Sequence, residues 1–169
     1  MTVAGLRGFF RSIRGGLVGS ALLLAWDGAI NASFLLSLLF CPVWFVFNLV
    51  RGAIDRPGWG LALARVAIPA ATLGLVWANH VIQIGITETN ARRVIAACEA
   101  YHDANGKYPQ KLGELVPQYL DAVPMAKYCL GPGSLFSYHN NGKPLLYWQV
   151  FGFLRRIYNF EEHRWSYLD

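Results

Sequence analysis

Residues 61–86 read LALARVAIPAATLGLVWANHVIQIGI, and this stretch decides the fold. A helix needs roughly 20 apolar residues to cross a bilayer core, and this run supplies them with Arg65 as its one formal charge. Arg65 sits a turn inside the run, where a long side chain snorkels back to the interface. Pro69 is tolerable because neighbouring groups in a membrane helix re-satisfy the freed carbonyl. Asn79, His80 and Gln83 gather at the far end, where polarity is cheap. His80 has no second histidine in the apolar segments to complete a haem or metal pair, so it reads as an interfacial histidine.

Upstream, Ile30 to Val50 (INASFLLSLLFCPVWFVFNLV) is long enough to span alone. Before it, GLVGSALLLAW (16–26) is too short to cross by itself. It follows an arginine-spaced stretch with Leu6, Phe9, Phe10 and Ile13 that reads as an interfacial amphipathic helix. WDGAINAS (26–33) holds Asp27, Gly28 and Asn31 and makes a polar turn. Two arrangements of 3–50 follow: an interfacial helix and one span at about 30–50, or a helical hairpin over 17–50. Arg7, Arg11 and Arg14 precede the region and Arg51, Arg56 and Arg65 follow it. The positive-inside rule keeps both clusters cytoplasmic only in the hairpin. Against that, about 34 residues are barely enough for two crossings at 1.5 Å per residue. No short apolar core with a small-residue cleavage site marks a cleavable signal, so the chain is expected to begin at Met1 or Thr2.

Composition changes at Glu88. Only 15% of the chain is charged, below the usual quarter, and the deficit lies almost entirely upstream. This divides the chain into a membrane region, 1–86, and a soluble domain, 87–169. The net charge of +5 belongs largely to arginines beside apolar segments, where they set orientation and meet anionic lipid. Nucleic acid is not an expected partner.

Glu88 to Asn105 is an amphipathic helix: Ala91, Val94, Ile95, Cys98 and Tyr101 fall at helical spacing on one face, and Gly106 is a C-cap. The helix is expected to continue from the membrane span with little break. Pro109 opens a short helix that runs through Leu115, and Pro117 ends it. The period then becomes two. SLFSYH and KPLLYWQV flank Asn140-Asn141-Gly142, and RIYNF and RWSYL flank Glu161-Glu162-His163, giving hairpins and a sheet of three or four strands. So small a sheet needs a partner for its apolar face, and the helical stripe provides one. The fold class is α+β, with N-terminal transmembrane helices followed by a long helix, a short helix and a small antiparallel sheet.

The run ARRVIAACEAYHDANGKYPQKLGELVPQYLDAVP (91–124) resembles the soluble domain of type IV pilins and of the major pseudopilin of type II secretion. The resemblance is carried by Tyr101, Asn105, Gly106, Tyr108, Pro109, Leu112, Leu115, Val116, Pro117, Tyr119, Leu120 and Pro124. It covers about 35 residues and the sheet only in outline. The Phe-Thr-Leu-x-Glu motif that opens a pilin membrane helix is absent, and an additional apolar region precedes the span. The resemblance implies a pilin-like domain held permanently in a bacterial inner membrane, exported to the periplasm, and acting by packing on other proteins.

No residue set for catalysis, cofactor binding or metal binding emerges. His102-Asp103, His139 and His163 lack an accompanying nucleophile motif, and no CxxC or His-spaced pair suggests a metal. Gly131-Pro132-Gly133 is a turn without the Lys-Ser/Thr of a phosphate loop. Cys41 reads as a small buried hydrophobe. Cys98 and Cys129 are a disulfide candidate, and an oxidising compartment would let such a bond persist. Tyr147, Trp148, Phe151, Phe153, Tyr158 and Trp165 crowd the C-terminal end, and such a density suggests an aromatic contact surface for protein or bilayer. The expected function is therefore a non-enzymatic, membrane-anchored, pilin-like accessory protein that binds other membrane subunits, with no small-molecule substrate. The alternatives are a small membrane enzyme or cofactor carrier using His80 or His102, and a membrane immunity protein.

Overall fold

The computed structural model describes residues 3–168, with side chains from Arg7 onward. Met1 and Thr2, where the chain is expected to begin, lie outside the described residues, as does the Leu6 side chain. The fold is α+β, with three long apolar helices and one four-stranded antiparallel sheet. The chain separates into two compact units, Met1–His80 and Val81–Asp169.

The first unit holds α1 (Val3–Leu23), α2 (Leu35–Asp55) and the start of α3 (Trp59–Asn105). The stretch Leu24–Ile30 prolongs α1 as a π-helix, so the first leg of the hairpin is longer than the sequence suggests. Arg7–Ile30, Leu35–Asp55 and α3 are each long and apolar enough to cross a membrane. The arginine-spaced stretch is thus the beginning of that leg and not a separate interfacial helix.

Polar contacts fix how these helices line up. Gly16 on α1 faces the Trp44 indole and Ile68, and a Cβ there would come within 3.2 Å of the indole. One turn on, the Ser20 and Thr72 hydroxyls lie 2.7 Å apart. The Thr72 hydroxyl donates to the Ile68 carbonyl at 2.8 Å; its single proton is then used, so Ser20 is the donor of the pair. Further on, the Asn79 amide donates to the Gly28 carbonyl at 3.2 Å. His80 Nδ1 lies 3.3 Å from the Ala32 carbonyl oxygen. Positions on the first leg and α3 therefore rise together in direct contact while α2 runs back, an up-down-up bundle.

The reversal at 31–34 is tightly built. Asp27, expected in a polar turn, is on the last helical turn and is 1% exposed. Its carboxylate accepts the Ser37 backbone N–H at 2.6 Å and so caps the start of α2 from the neighbouring helix. His80 is buried against this turn, its ring 4.7 Å from that of Phe34. It is a packing residue of the bundle.

In the second unit α3 continues without a break to Asn105. Gly106 (φ +69°) closes it by donating to the His102 carbonyl at 2.7 Å. The stripe behaves as its spacing requires: Ala91, Val94 and Cys98 are buried, with Ile95 and Tyr101 packed beside them. The segment expected as a short helix is one 3-10 turn, Leu112–Leu115, that buries Leu115.

The sheet is a meander of β1 (Ser137–Asn140), β2 (Pro144–Phe151), β3 (Leu154–Asn159) and β4 (Arg164–Leu168), in that order. Gly142 (φ +90°) turns the first hairpin. Leu146, Trp148 and Tyr158 point to the α3 stripe and form the core with Phe160 and Leu120. The Tyr-Pro turn is stitched to β1. Tyr138 Oη donates to the Pro109 carbonyl at 2.9 Å, and the Asn140 amide donates to the same oxygen at 2.9 Å.

Candidate interaction surface

The aromatic residues picked out at the C-terminal end do not form one patch. Trp148 and Tyr158 are buried. Trp165 packs on both, with ring centroids 5.2 and 4.7 Å away, and the Arg156 guanidinium covers its other side at 4.8 Å. Arg156 also pairs with Glu88 on α3, so this aromatic group clamps the sheet to the helix.

Tyr147 sits on the opposite face of the sheet. Its registered neighbours are Ser137 and Ile157, its hydroxyl is 2.7 Å from His139 Nε2, and Arg155 lies over its ring. Leu145, Tyr147 and Ile157 are half-buried there. They make a modest apolar strip on the face turned away from the core. Phe151 is half-buried at the end of β2, and Phe153, at the tip of the β2–β3 hairpin, is 89% exposed.

The cysteine pair departs from expectation. Cys98 and Cys129 are free, buried thiols. The Tyr128 backbone is pinned to Gln83, donating to Oε1 at 2.9 Å and accepting from Nε2 at 3.2 Å. Cys98 lies about 22 Å further along α3 at 1.5 Å per residue, whereas a disulfide needs Cα atoms within about 7 Å. Burial, with Glu99 adding to it, pushes the Cys98 thiol up to about 12. The histidines weighed for chemistry are scattered: His102 stacks on Tyr108, and His163 Nδ1 is 3.4 Å from Glu99 Oε1.

Sequence reasoning passed over a second exposed apolar feature of this unit, the loop over 125–135. Ala126 N–H donates to the Ser134 carbonyl at 2.8 Å and closes the base of the loop. Lys127 at its neck is fully buried and donates from Nζ to the Val150 carbonyl at 3.2 Å; burial lowers its pKa. At the tip Leu130 is 86% exposed, with Tyr128 and Leu135 also exposed. Gly131-Pro132-Gly133 marks the turn in the sequence, but the leucines beside it follow no period that would single them out. Comparison with family models, with curated proteins and with solved structures finds no match to this chain.

Proposed function

We propose that this chain is a three-span membrane protein that presents a pilin-like helix-and-sheet domain to other subunits of a membrane complex. In this reading the complex is of the type II secretion or type IV pilus-related kind, in a bacterial inner membrane, and the role is binding without catalysis. The observation that carries the proposal is α3: one helix of 47 residues is an apolar span at its start and the spine of an α+β core at its end. That organisation is the one the resemblance at 91–124 implies.

Orientation follows from charge. Arg51 and Arg65 share one end of the first unit with Ser12 and Gly15 on α1, and Arg51 and Arg65 both approach Asp55. Arg7, Arg11 and Arg14 begin the same helix. This basic end belongs in the cytoplasm by the positive-inside rule, which sends α3 outward and the second unit into the periplasm. The exposed Trp59 and Trp77 lie about 27 Å apart along α3 at 1.5 Å per residue, close to the thickness of a hydrocarbon core, as interfacial aromatics would.

The strip at Leu145, Tyr147 and Ile157 is the subunit-binding face. Photo-crosslinking in cells tests it, with a benzophenone amino acid at Tyr147 or Ile157 and a control at Gln110. The expected result is one discrete heavier adduct, shared by the two sheet positions and absent from the control. Equal diffuse labelling at all three positions would reject the face.

A further inference from the structure

Between α3 and the segment that follows the Leu112–Leu115 turn, the second unit carries an open groove of about 470 Å³. Ala96, Ala97 and Ala100 form its floor on the helix, and the ridge Pro117–Asp121 forms its far wall. The ridge is held from below. The Tyr119 and Leu120 N–H groups both donate to the Leu115 carbonyl, at 2.8 and 3.0 Å. Leu120 belongs to the core, and the Tyr119 ring packs on that of Tyr101 at 5.6 Å. The groove is therefore preformed, and its alanine floor lets another backbone come close without ordering long side chains. Charge stands on both walls. Arg93 is on the helix side and Asp121 on the ridge, both exposed, and neither has an ion-pair partner among the described residues.

We propose that this groove is the contact through which two copies of the chain form a closed dimer. A two-fold axis running between the alanine floor and the ridge exchanges the two walls. Each ridge then lies over the alanine floor of the other copy, and each Arg93 faces the Asp121 of the other copy, so that one residue pair is made twice. The charges select this occupant. An acidic partner would satisfy Arg93 and be repelled by Asp121, and a basic one the reverse. The same surface turned by 180° satisfies both walls at once. Because such a contact occupies the groove of both copies, assembly stops at two. It involves none of the residues of the strip at Leu145, Tyr147 and Ile157, so a dimer leaves that strip available.

Charge reversal tests the pairing. The full chain is labelled at Lys107→Cys, an exposed position, while its own thiols are buried. The dimer dissociation constant is then read in mild detergent at low ionic strength from energy transfer between donor- and acceptor-labelled chains. Arg93→Glu and Asp121→Arg each set like charges opposite one another twice per dimer, and each should weaken association about tenfold. The double variant restores both pairs with their signs exchanged and should return to within about threefold of the parent. Both side chains are exposed, so the reversals disturb no packing. A parent that stays monomeric, single reversals that associate as the parent does, or a double reversal as weak as the singles overturns the dimer contact. In cells, a benzophenone amino acid at Ala100 should give an adduct of twice the mass of the chain. An adduct with a different protein and none at that mass would overturn it as well.

Discussion

Asp27, buried on the last turn of the first helical leg, accepts the backbone N–H of Ser37 on the second at 2.6 Å. The bond ties the two legs together at the turn, and it supplies α2 with the cap that Phe34 cannot give. Removing the carboxylate orphans a buried donor, which costs about 1–3 kcal/mol. Asp27→Ala should lower the stability of the full chain in detergent by that amount, followed by denaturant titration. Asp27→Asn keeps an acceptor and should lose less. Equal stability of Asp27→Ala and the parent would mean that the cap contributes nothing.

The Ser20–Thr72 pair is the corresponding link between α1 and α3. Interhelical hydrogen bonds in membrane bundles contribute modestly, averaging about 0.6 kcal/mol. A double-mutant cycle of Ser20→Ala and Thr72→Ala should return a coupling of about that size. A coupling of zero would show that the two hydroxyls act separately.

How far the sequence carries the fold can be seen along α3. The switch from an all-round apolar run to the stripe of Ala91, Val94 and Cys98 is legible because burial on one face leaves a period, and the two units follow from that change. The four strands are legible for the same reason. Asp27 is not, because its partner is a backbone N–H ten residues away that no side-chain pattern encodes. Trp148, Tyr158 and Trp165 were legible as an aromatic cluster but not as core, since composition counts aromatic residues without saying which face of a strand is covered. The Leu130 loop left almost no trace, because non-repetitive backbone held by Gln83, Thr87 and Asn90 has no period.

The cysteines give a simple count. All three are free and buried, so the native chain should react slowly with a thiol reagent. Denatured without reductant, it should titrate three thiols. A single reactive thiol would mean that two of them are bonded.

Alkaline stability follows from protons that the folded chain retains. Burial pushes Cys98 and Tyr108 up to about 12, aided by Glu99 in both cases; Tyr138 is raised as well, chiefly by burial. The unfolded chain releases these protons nearer pH about 8.5 for the thiol and about 10 for the phenols. Their contribution is therefore complete below pH about 8.5 and is lost as pH rises towards about 12. Thermal stability should be flat from neutral pH to about 8.5 and then fall. Cys98→Ala and Tyr108→Phe should each make that fall shallower. A fall of the same steepness in both variants would contradict the assignment.

The proposed three-span arrangement puts Gly8 and Lys107 on opposite sides of the membrane, and that is the central claim. Gly8 and Lys107 are both exposed, and a Cβ at Gly8 meets nothing within 4 Å. Gly8→Cys and Lys107→Cys can therefore be labelled in spheroplasts with a membrane-impermeant maleimide, against the parent as blank. Lys107→Cys should label in intact spheroplasts and Gly8→Cys only after lysis. Labelling of both positions from the same side, or recovery of the chain in the supernatant of an alkaline carbonate wash, would contradict the account.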